Sequence, residues 1–306
     1  MCEKTIDCFY LVQQLINNTL HDGLAKRGGS FIQDANKNAT LDLNSPYLLP
    51  APLRYAQDQQ IQPHPMTTTL LCPTHTFDAP PFILRAESGS IRHLPALTYC
   101  LVEYDRAHYS DALFQRFSQP FPDALTNAVA KRRAEYLASR YCGQVLLEQA
   151  QANSTIIGTH ERVPQWPAGW RGSISHSDKY ALVVIAPESA GLMPGIDIEQ
   201  WQPEVMLETT DMFASSDEQQ LLSSLSLPYP QALLTLFSAK ESLYKSQWPE
   251  VRRYFDFQAA KVTHVDEAEQ RFTLTLTETL TPKLKCGTAF SGSYMFLNDA
   301  VITCIG

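Results

Sequence analysis

The amino-acid sequence predicts an α+β fold with two similar halves that follow an N-terminal extension. A strand pattern, a long helical pattern and further strand patterns succeed one another in the middle of the chain, and the same order recurs towards its end. The chain has 306 residues, about twice the length of a typical domain, which fits two hydrophobic cores. Because 44% of the residues are hydrophobic and 18% are charged, we expect an ordinary soluble globular protein.

The first 80 residues are predicted to form a Pro-rich extension. Eight prolines stand between Pro46 and Pro81, and proline is disfavoured in helix interiors and central strands. Apolar periodicity between Phe9 and Ile16 is compatible with a short helix near the start of this segment. We expect the two halves to occupy residues 81–195 and 196–306.

Both halves contain strand and helix patterns. In the first half, the sequence predicts a strand over residues 97–104, a helix over residues 125–149 and strands at SISHS and YALVVIA. A short strand at GIDIE marks the junction between the halves. In the second half, it predicts two helices between residues 207 and 245, broken by LSLPYP, and strands at RFTLTLT and over residues 294–305.

Charge and cysteine usage limit the partners and the compartment. The formal net charge of -8 argues against a general nucleic-acid binder, whose affinity comes from a surplus of Lys and Arg. Any polyanion must therefore meet a local basic pocket. The seven cysteines are odd in number and include no C-x-x-C pair, so neither a disulfide framework nor a zinc site is predicted. The chain lacks a signal-peptide core and a run of about 18 apolar residues, so we expect a cytoplasmic monomer without a membrane span.

The segment GIDIE is the first candidate functional motif. Because alternate side chains of a strand share one face, Asp197 and Glu199 point the same way, while Ile196 and Ile198 point into the core. Mg²⁺ is usually held by one or two carboxylates together with substrate phosphates and water. The pair therefore indicates a magnesium site, although an exposed strand face explains the five residues equally well.

The segment FSAKESLYK is the second candidate motif. Helical spacing places Glu241 and Lys245 four residues apart on one face, so that an anion and a cation point to the same place. Taken alone, this pattern more often forms a surface salt bridge that contributes a few tenths of a kcal/mol.

Two further motifs could bind an anion. The segment GSISHS places Ser175 and His176 at a strand end, after the turn WPAGWR that exposes backbone N–H groups. The long helix of the first half carries Lys131, Arg132, Arg133 and Arg140 in an otherwise acidic chain. Each motif has a plainer explanation, which is a hydrogen-bonded histidine at a polar strand end and a solvated helix face.

The four motifs together, in this order, resemble the two-domain, surfactin-type class of the 4'-phosphopantetheinyl transferase superfamily, and within it the siderophore-type enzymes of the enterobactin synthetase component D group. The resemblance spans about residues 97–306 and is densest at KRRAEYLASR, WPAGWRGSISHS, GIDIE and FSAKESLYK. It implies two pseudo-symmetric halves, each a small antiparallel sheet packed on a long helix, with the active site in the cleft between them.

The resemblance also implies the ligands and the residues that bind them. Coenzyme A is the co-substrate, apo carrier protein domains are the acceptors, and Mg²⁺ is held by Asp197, Glu199 and Glu241. Glu241 and Lys245 are the implied catalytic residues. The residues implied to bind coenzyme A are Arg132, Arg133, Arg140, Arg171, Gly172, Ser175, His176, Lys240 and Lys245. Many members of the family have a small residue followed by glycine where this chain has Gln247 and Trp248, so the shape of the pantetheine channel differs from the family pattern.

The residue types suit the implied chemistry. A carrier serine loses a proton and attacks the β-phosphorus, and adenosine 3',5'-bisphosphate leaves. Mg²⁺ and Lys245 would neutralise the pyrophosphate charge, so positioning and electrostatics supply most of the catalysis. Either Glu241 or a metal-bound water beside it is the base, and the sequence leaves both open.

Two other functions compete with this interpretation. Ser242 and Lys245 satisfy the S-x-x-K pattern of some serine hydrolases, but no K-T-G and no G-x-S-x-G accompanies it. A non-catalytic carrier-binding subunit could keep the fold, although the intact acids and Lys245 count against this. The sequence also lacks the glycine-rich nucleotide motifs of ATP-binding and NAD-binding proteins.

Overall fold

The computed structural model describes residues 69–160 and 163–306. The short helix predicted near Phe9, and most of the predicted extension, lie outside the described residues. No helix within the described residues has the length and the apolar character needed to cross a membrane.

The first half is a five-stranded antiparallel sheet with one long helix against a face. Its strands follow the order β1-β2-β3-β7-β6. Its elements are β1 (Leu71–Ala79), β2 (Ile83–Ile91), β3 (Leu94–Tyr104), α1 (Ala112–Arg116), α2 (Ala130–Gln149), β4 (Gly158–His160), β5 (Val163–Gln165), β6 (Trp170–His176) and β7 (Tyr180–Pro187). Among the described strands, β4 and β5 pair only with each other. The helix α2 covers the sheet through fully buried side chains that include Leu137, Ala138 and Cys142.

The second half repeats this arrangement with a different order along the chain. Its strands follow the order β8-β12-β11-β10-β9. Its elements are β8 (Gly195–Gln200), α3 (Pro203–Glu208), α4 (Thr210–Phe213), α5 (Ser216–Ser223), α6 (Tyr229–Val251), β9 (Ala260–Asp266), β10 (Arg271–Leu276), β11 (Ala289–Leu297) and β12 (Ala300–Ile305). The long helix α6 lies against β8 and β12. The predicted α+β class with two sheet-and-helix halves is thus confirmed.

Helix α6 has clearly marked ends and packs closely against β8. It begins directly after Pro228, with Pro230 in its first turn, where the fixed φ of proline suits a helix start. It ends at Arg252, which adopts a left-handed conformation. A Cβ atom at Gly195 would clash with the carbonyl oxygen of Ser242, so glycine permits the close approach of helix and strand.

The two sheets meet at their edge strands β6 and β8 and at a shared apolar core. Ile196 and Ile198 of β8 are fully buried in that core. Strand β8 has β12 on one side only, so the backbone N–H groups of Ile196 and Ile198 point outwards. They donate to the hydroxyls of Ser173 at 3.1 Å and Ser175 at 3.2 Å. Ser173 and Ser175 of SISHS therefore provide hydrogen-bond acceptors for the backbone N–H groups at the edge of the second sheet.

Strands such as β2 and β9 were not predicted from the sequence, and further differences concern β1, helix α2 and the helices of the second half. Strand β1 lies within the segment predicted to be an extension, because a proline such as Pro73 is tolerated on an edge strand. Helix α2 begins at Ala130 instead of residue 125, after an exposed Val129. The region predicted to hold two helices contains four, and α6 continues beyond Lys245 to Val251.

Candidate active site

Asp197 lies in the middle of β8, on the face that contacts helix α6. It is opposite Thr303 of β12 in the antiparallel register. The Asp197 side chain is 2% exposed, so its charge must be compensated by nearby donors.

Three side chains donate to the Asp197 carboxylate. Its Oδ1 accepts from Ser175 Oγ at 2.9 Å and from Lys245 Nζ at 2.6 Å. Its Oδ2 accepts from Ser238 Oγ at 2.7 Å. Lys245 Nζ also donates to Ser175 Oγ at 3.0 Å. One carboxylate thus joins the strand end of the first half to the helix of the second.

Lys245 remains charged in this environment. Burial alone would lower the pKa of its ammonium group, but the carboxylates of Asp197, Glu241 and Glu199 more than offset that effect and raise the pKa above its ordinary value. The side chain keeps 26% of its surface exposed. A permanent cation therefore lies at the junction of the two halves, within reach of a bound anion.

Glu241 lies one helical turn before Lys245 and is buried. Its Oε1 has no hydrogen-bond partner among the described residues. Burial raises the pKa of Glu241 well above its ordinary value, and the nearby charges of Asp197 and Glu199 raise it further. The three predicted acids therefore lie close enough for their charges to oppose one another, with one oxygen atom left unpaired.

This arrangement partly fits a divalent cation. Within residues 69–160 and 163–306, no group of three or more His, Cys, Asp or Glu side chains is arranged to hold a metal ion. The chemistry of the donors still suits Mg²⁺, because they are hard carboxylate oxygens and mutually repulsive acids are stabilised by a shared cation. The magnesium ligands therefore remain a prediction.

The alternative S-x-x-K site is not assembled. Ser242 is fully buried, and its Oγ lies 3.0 Å from the carbonyl oxygen of Thr303 and 2.7 Å from Thr303 Oγ1. Lys245 makes its hydrogen bonds to Asp197 and Ser175 instead. A serine nucleophile needs a base within hydrogen-bond reach and access to a substrate, and Ser242 has neither here.

Sequence reasoning missed two residues that touch this cluster. Ser238 donates to Asp197, and its Oγ lies 2.9 Å from Thr303 Oγ1. Ser238 precedes the Lys-Glu pair in FSAKES, and its spacing of seven residues from Lys245 places both on one helical face. For Thr303 the sequence offers no signal, since its position opposite Asp197 depends on the strand register.

Arg132 and His176 come together at the start of α2. Arg132 Nη1 lies 2.9 Å from His176 Nε2, so Nε2 accepts and the neutral ring carries its proton on Nδ1. Burial, together with the positive charges of Arg132 and Lys245, lowers the pKa of His176 to about 3. The buried Glu135 lies 3.7 Å from both His176 Nδ1 and Arg132 Nη1. Arg132 of the predicted basic helix face and the predicted strand-end residue His176 are thus in direct contact.

Arg140 is a buried cation further along α2. Its Nη2 donates to Thr159 Oγ1 at 2.7 Å, and its guanidinium lies 4.4 Å from the ring centre of Tyr136. Its Nε has no hydrogen-bond partner in the described part of the chain. Burial lowers the pKa of Arg140. Because Arg140 forms no salt bridge with a carboxylate among the described residues, its buried guanidinium is chemically suited to a phosphate.

Lys240 points away from the acidic cluster. Its side chain is 2% exposed and lies 2.9 Å from Glu218 Oε1. Its Nζ also donates to the carbonyl oxygens of Phe213 and Phe257. These contacts use all three ammonium hydrogens. Lys240 links α6 to neighbouring elements of the second half and has no ammonium hydrogen left for coenzyme A, so these contacts count against its predicted role in binding coenzyme A.

Replacing Lys240 by Met is expected to lower the free energy of unfolding by about 3–5 kcal/mol, because Glu218 would remain buried without its cation. The KM for coenzyme A of the folded protein is expected to change by less than about twofold. Denaturant titration and steady-state kinetics test both expectations. Lys179→Met, which breaks an exposed ion pair with Asp299, is the matched control and should cost under about 1 kcal/mol. A raised KM for coenzyme A with an unchanged free energy of unfolding would instead indicate that Lys240 contacts coenzyme A.

Arg133 is also engaged elsewhere. Its Nη1 pairs with Asp111 Oδ2 at 2.6 Å, and its Nη2 donates to the carbonyl oxygen of Thr126 at 2.7 Å. Its guanidinium lies 5.4 Å from the ring centre of Phe121. Arg133 thus fixes the segment that precedes α2, and because both of its Nη atoms are engaged there, its contact with coenzyme A stays a prediction.

Gly172, an implied coenzyme A contact, lies in strand β6 beside an aromatic ring. A Cβ atom at Gly172 would clash with Trp166 and with the carbonyl oxygen of Val184. Arg171 is 42% exposed in its side chain, lies 3.9 Å from Glu188 and donates to the sulfur of Met193. Glycine therefore permits Trp166 to pack on β6.

The two residues that depart from the family pattern are packed into the protein. Gln247 is buried and donates to Ser246 Oγ at 2.8 Å. The ring of Trp248 lies 5.6 Å from that of Tyr244, and its buried Nε1 has no hydrogen-bond partner among the described residues. Both side chains lie on the turns of α6 that follow Lys245.

One cavity of about 250 Å³ is lined by residues such as His93, Arg271 and Ser293. Its lining includes none of the predicted site residues, so this cavity is not the candidate site.

Two family models match the chain. The model described as the 4'-phosphopantetheinyl transferase N-terminal domain matches residues 121–186. The model described as the 4'-phosphopantetheinyl transferase superfamily matches residues 193–304. Together they contain every predicted site residue, and they divide the chain between β7 and β8.

Individual relatives agree with these models. The chain is 36% identical over 169 residues to enterobactin synthase component D of Salmonella typhi, which covers 54% of this chain and 68% of the relative. It is 31% identical over 142 residues to a 4'-phosphopantetheinyl transferase of Nocardia iowensis, covering 45% of this chain and 62% of the relative. It is 29% identical over 150 residues to a 4'-phosphopantetheinyl transferase of Mycobacterium tuberculosis, covering 47% and 65% respectively.

Proposed function

The chain belongs to the 4'-phosphopantetheinyl transferase superfamily, and from this membership we propose its reaction. It transfers the 4'-phosphopantetheine arm of coenzyme A to a serine of an apo carrier protein domain, releases adenosine 3',5'-bisphosphate and depends on Mg²⁺. The observation that carries the proposal is the meeting of Asp197 of β8 with Glu241 and Lys245 of α6 at the junction of the two halves.

Three acids of this junction would hold the metal. Asp197, Glu199 and Glu241 supply carboxylate oxygens, and the unpaired Oε1 of Glu241 supports this assignment. A bound Mg²⁺ would neutralise part of the pyrophosphate charge and orient the phosphates for in-line attack.

Lys245 and Glu241 have complementary tasks. Lys245, whose pKa is raised by its acidic neighbours, stays cationic and stabilises negative charge on the leaving phosphate. As the serine oxygen of the carrier forms its bond to the β-phosphorus, the bond to the departing phosphate breaks and the serine proton is accepted by Glu241. The position of Glu241 one helical turn from Lys245, with an Oε1 that has no hydrogen-bond partner among the described residues, supports Glu241 in that role.

The basic side of the junction would bind the phosphorylated nucleotide. Arg132, oriented by His176, and the buried Arg140 present positive charge at the first half. Arginine is suited to bidentate contacts with phosphate oxygens. The resemblance implies that the segment from Arg171 to Ser175, which lies in strand β6, would adjoin the adenine. Although the net charge of the chain is negative, Arg132 and Arg140 would provide the local positive charge that binds an anion.

We propose that carrier domains of a siderophore peptide synthetase are the acceptors. The support is the similarity to relatives named enterobactin synthase component D. Fatty-acid and polyketide carriers share the serine chemistry, so the test must include them.

The test is intact mass spectrometry of apo carriers incubated with the full chain, coenzyme A and Mg²⁺. We expect a phosphopantetheine adduct on apo peptidyl and aryl carriers, formed faster than on an apo fatty-acid carrier. EDTA is expected to abolish the adduct and excess Mg²⁺ to restore it. Loading that persists in EDTA would contradict the role of the metal, and an unmodified mass for every carrier would contradict the proposed transfer.

A further inference from the structure

We infer that a chain of three buried hydroxyl groups, from Ser242 through Thr303 to Ser238, positions the Asp197 carboxylate for the reaction. This inference rests on the proposed function, since it concerns how the acidic cluster is prepared for metal and pyrophosphate. None of the three residues contacts the proposed substrates in this account, so they are positioning residues and not catalytic ones.

The three hydroxyls form a continuous path that ends on Asp197. Ser242 Oγ lies 2.7 Å from Thr303 Oγ1, which lies 2.9 Å from Ser238 Oγ. Ser238 Oγ donates to Asp197 Oδ2 at 2.7 Å. All three hydroxyl-bearing residues are fully buried. The path is therefore screened from water along its whole length.

The direction of the hydrogen bonds follows from counting hydrogens. Asp197 is a carboxylate paired with Lys245 and can only accept hydrogen bonds, so Ser238 donates its single hydroxyl hydrogen to it. Thr303 must then donate to Ser238. The hydrogen of Ser242 is shared between the Oγ1 and the carbonyl oxygen of Thr303. The hydroxyls of Thr303 and Ser238 thus point towards the carboxylate, an arrangement in which one bond polarises the next.

The fold fixes each member of this path. Thr303 is the cross-strand neighbour of Asp197, so strand register determines its distance. Ser238 and Ser242 are one turn apart on the face of α6 that contacts β12. Because Asp197 Oδ2 is held from this side, Oδ1 is held towards Lys245 and Ser175 on the other. The hydroxyls therefore set the orientation in which the carboxylate faces the junction.

A purely structural role would have a different signature. If the hydroxyls only fill the space between α6 and β12, then Thr303→Val, which nearly preserves shape, would affect stability alone. If they orient Asp197, the same change alters metal binding and is rescued by Thr303→Ser, which keeps the hydroxyl. Loss of a hydrogen-bond partner behind a metal-binding carboxylate typically costs 10–100-fold in metal affinity or activity.

The experiment compares the full chain with Thr303→Val, Thr303→Ser and Ser238→Ala. Mn²⁺ affinity in the presence of coenzyme A is measured by electron paramagnetic resonance, and carrier loading is measured as a function of Mg²⁺. We expect Thr303→Val and Ser238→Ala to weaken Mn²⁺ binding and to raise the Mg²⁺ concentration for half-maximal rate by about 10–100-fold. Thr303→Ser should stay within about threefold, and the KM for coenzyme A at saturating Mg²⁺ within about twofold, for all variants.

Ser139→Ala is the matched control. Ser139 is a buried serine of α2 whose hydroxyl donates to the carbonyl oxygen of Glu135, so its loss tests hydroxyl removal away from Asp197. Equal Mn²⁺ affinity in Thr303→Val and the unaltered chain would overturn the inference, as would absence of Mn²⁺ binding by the unaltered chain. If Thr303→Val does not fold, Ser238→Ala decides on the same criterion. Failure of the unaltered chain to load any carrier would overturn the proposed function, while Mn²⁺ affinity would still decide the role of the hydroxyls.

Discussion

Replacing Asp197 by asparagine is expected to lower the rate of carrier loading by about 10²–10³-fold or more, because the change removes both a proposed metal ligand and the anion that holds Lys245. Asparagine keeps the shape of the side chain and can still hydrogen-bond to Ser175 and Ser238. Lys245 is partly exposed, so losing its partner should lower the free energy of unfolding by only about 1–3 kcal/mol. Steady-state loading and denaturant titration measure the two effects.

Asp299→Asn is the matched control for this variant. Asp299 pairs with Lys179 at 2.7 Å, but its side chain is 42% exposed and lies outside the acidic cluster. Its variant should load carriers within about twofold of the unaltered chain and lose under about 1 kcal/mol of stability. Loading by Asp197→Asn at the rate of this control would refute the role assigned to Asp197.

Replacing Glu241 by glutamine is expected to lower the loading rate by about 10²-fold or more while leaving the free energy of unfolding unchanged or raised. The physical reason is that Glu241 is buried beside two other acids with an unpaired oxygen, so its charge destabilises the fold that holds it. A neutral side chain of the same size removes that cost and also removes the proposed base and a proposed metal ligand. Kinetics and thermal unfolding in the absence of metal measure both.

Glu218→Gln provides the opposite case. Glu218 is also a buried acid, but it pairs with Lys240 and accepts from the backbone N–H of Val262 at 2.8 Å. Neutralising it leaves Lys240 buried without a counter-ion, so stability should fall by about 3–5 kcal/mol. If Glu241→Gln destabilised the protein as strongly as Glu218→Gln, Glu241 would be a structural residue, and its proposed role would lose support.

The sequence predicted the cluster where a local rule was sufficient. Strand alternation separates Asp197 from the apolar Ile196 and Ile198, and helical spacing places Glu241 and Lys245 on one face. Both rules act over a few residues and do not depend on the rest of the fold. The resemblance then linked segments that no local pattern could connect.

Other features depended on tertiary structure and could not be predicted from local patterns. Lys240 and Lys245 are both lysines of one helix motif, yet only the packing of α5 and β9 decides that Lys240 meets Glu218. Thr303 is an ordinary strand residue until register places it opposite Asp197. Pro73 favoured a loop in the sequence-based prediction, because proline is excluded from central strands and local patterns do not show which strand lies at the edge of a sheet.

The most direct test is a crystal structure of the full chain with coenzyme A and Mn²⁺, in which anomalous scattering locates the ion. We predict one ion that contacts carboxylate oxygens of Asp197, Glu199 and Glu241 together with oxygens of the coenzyme A pyrophosphate. An ion bound elsewhere, or a pyrophosphate bound away from these three acids, would contradict the account.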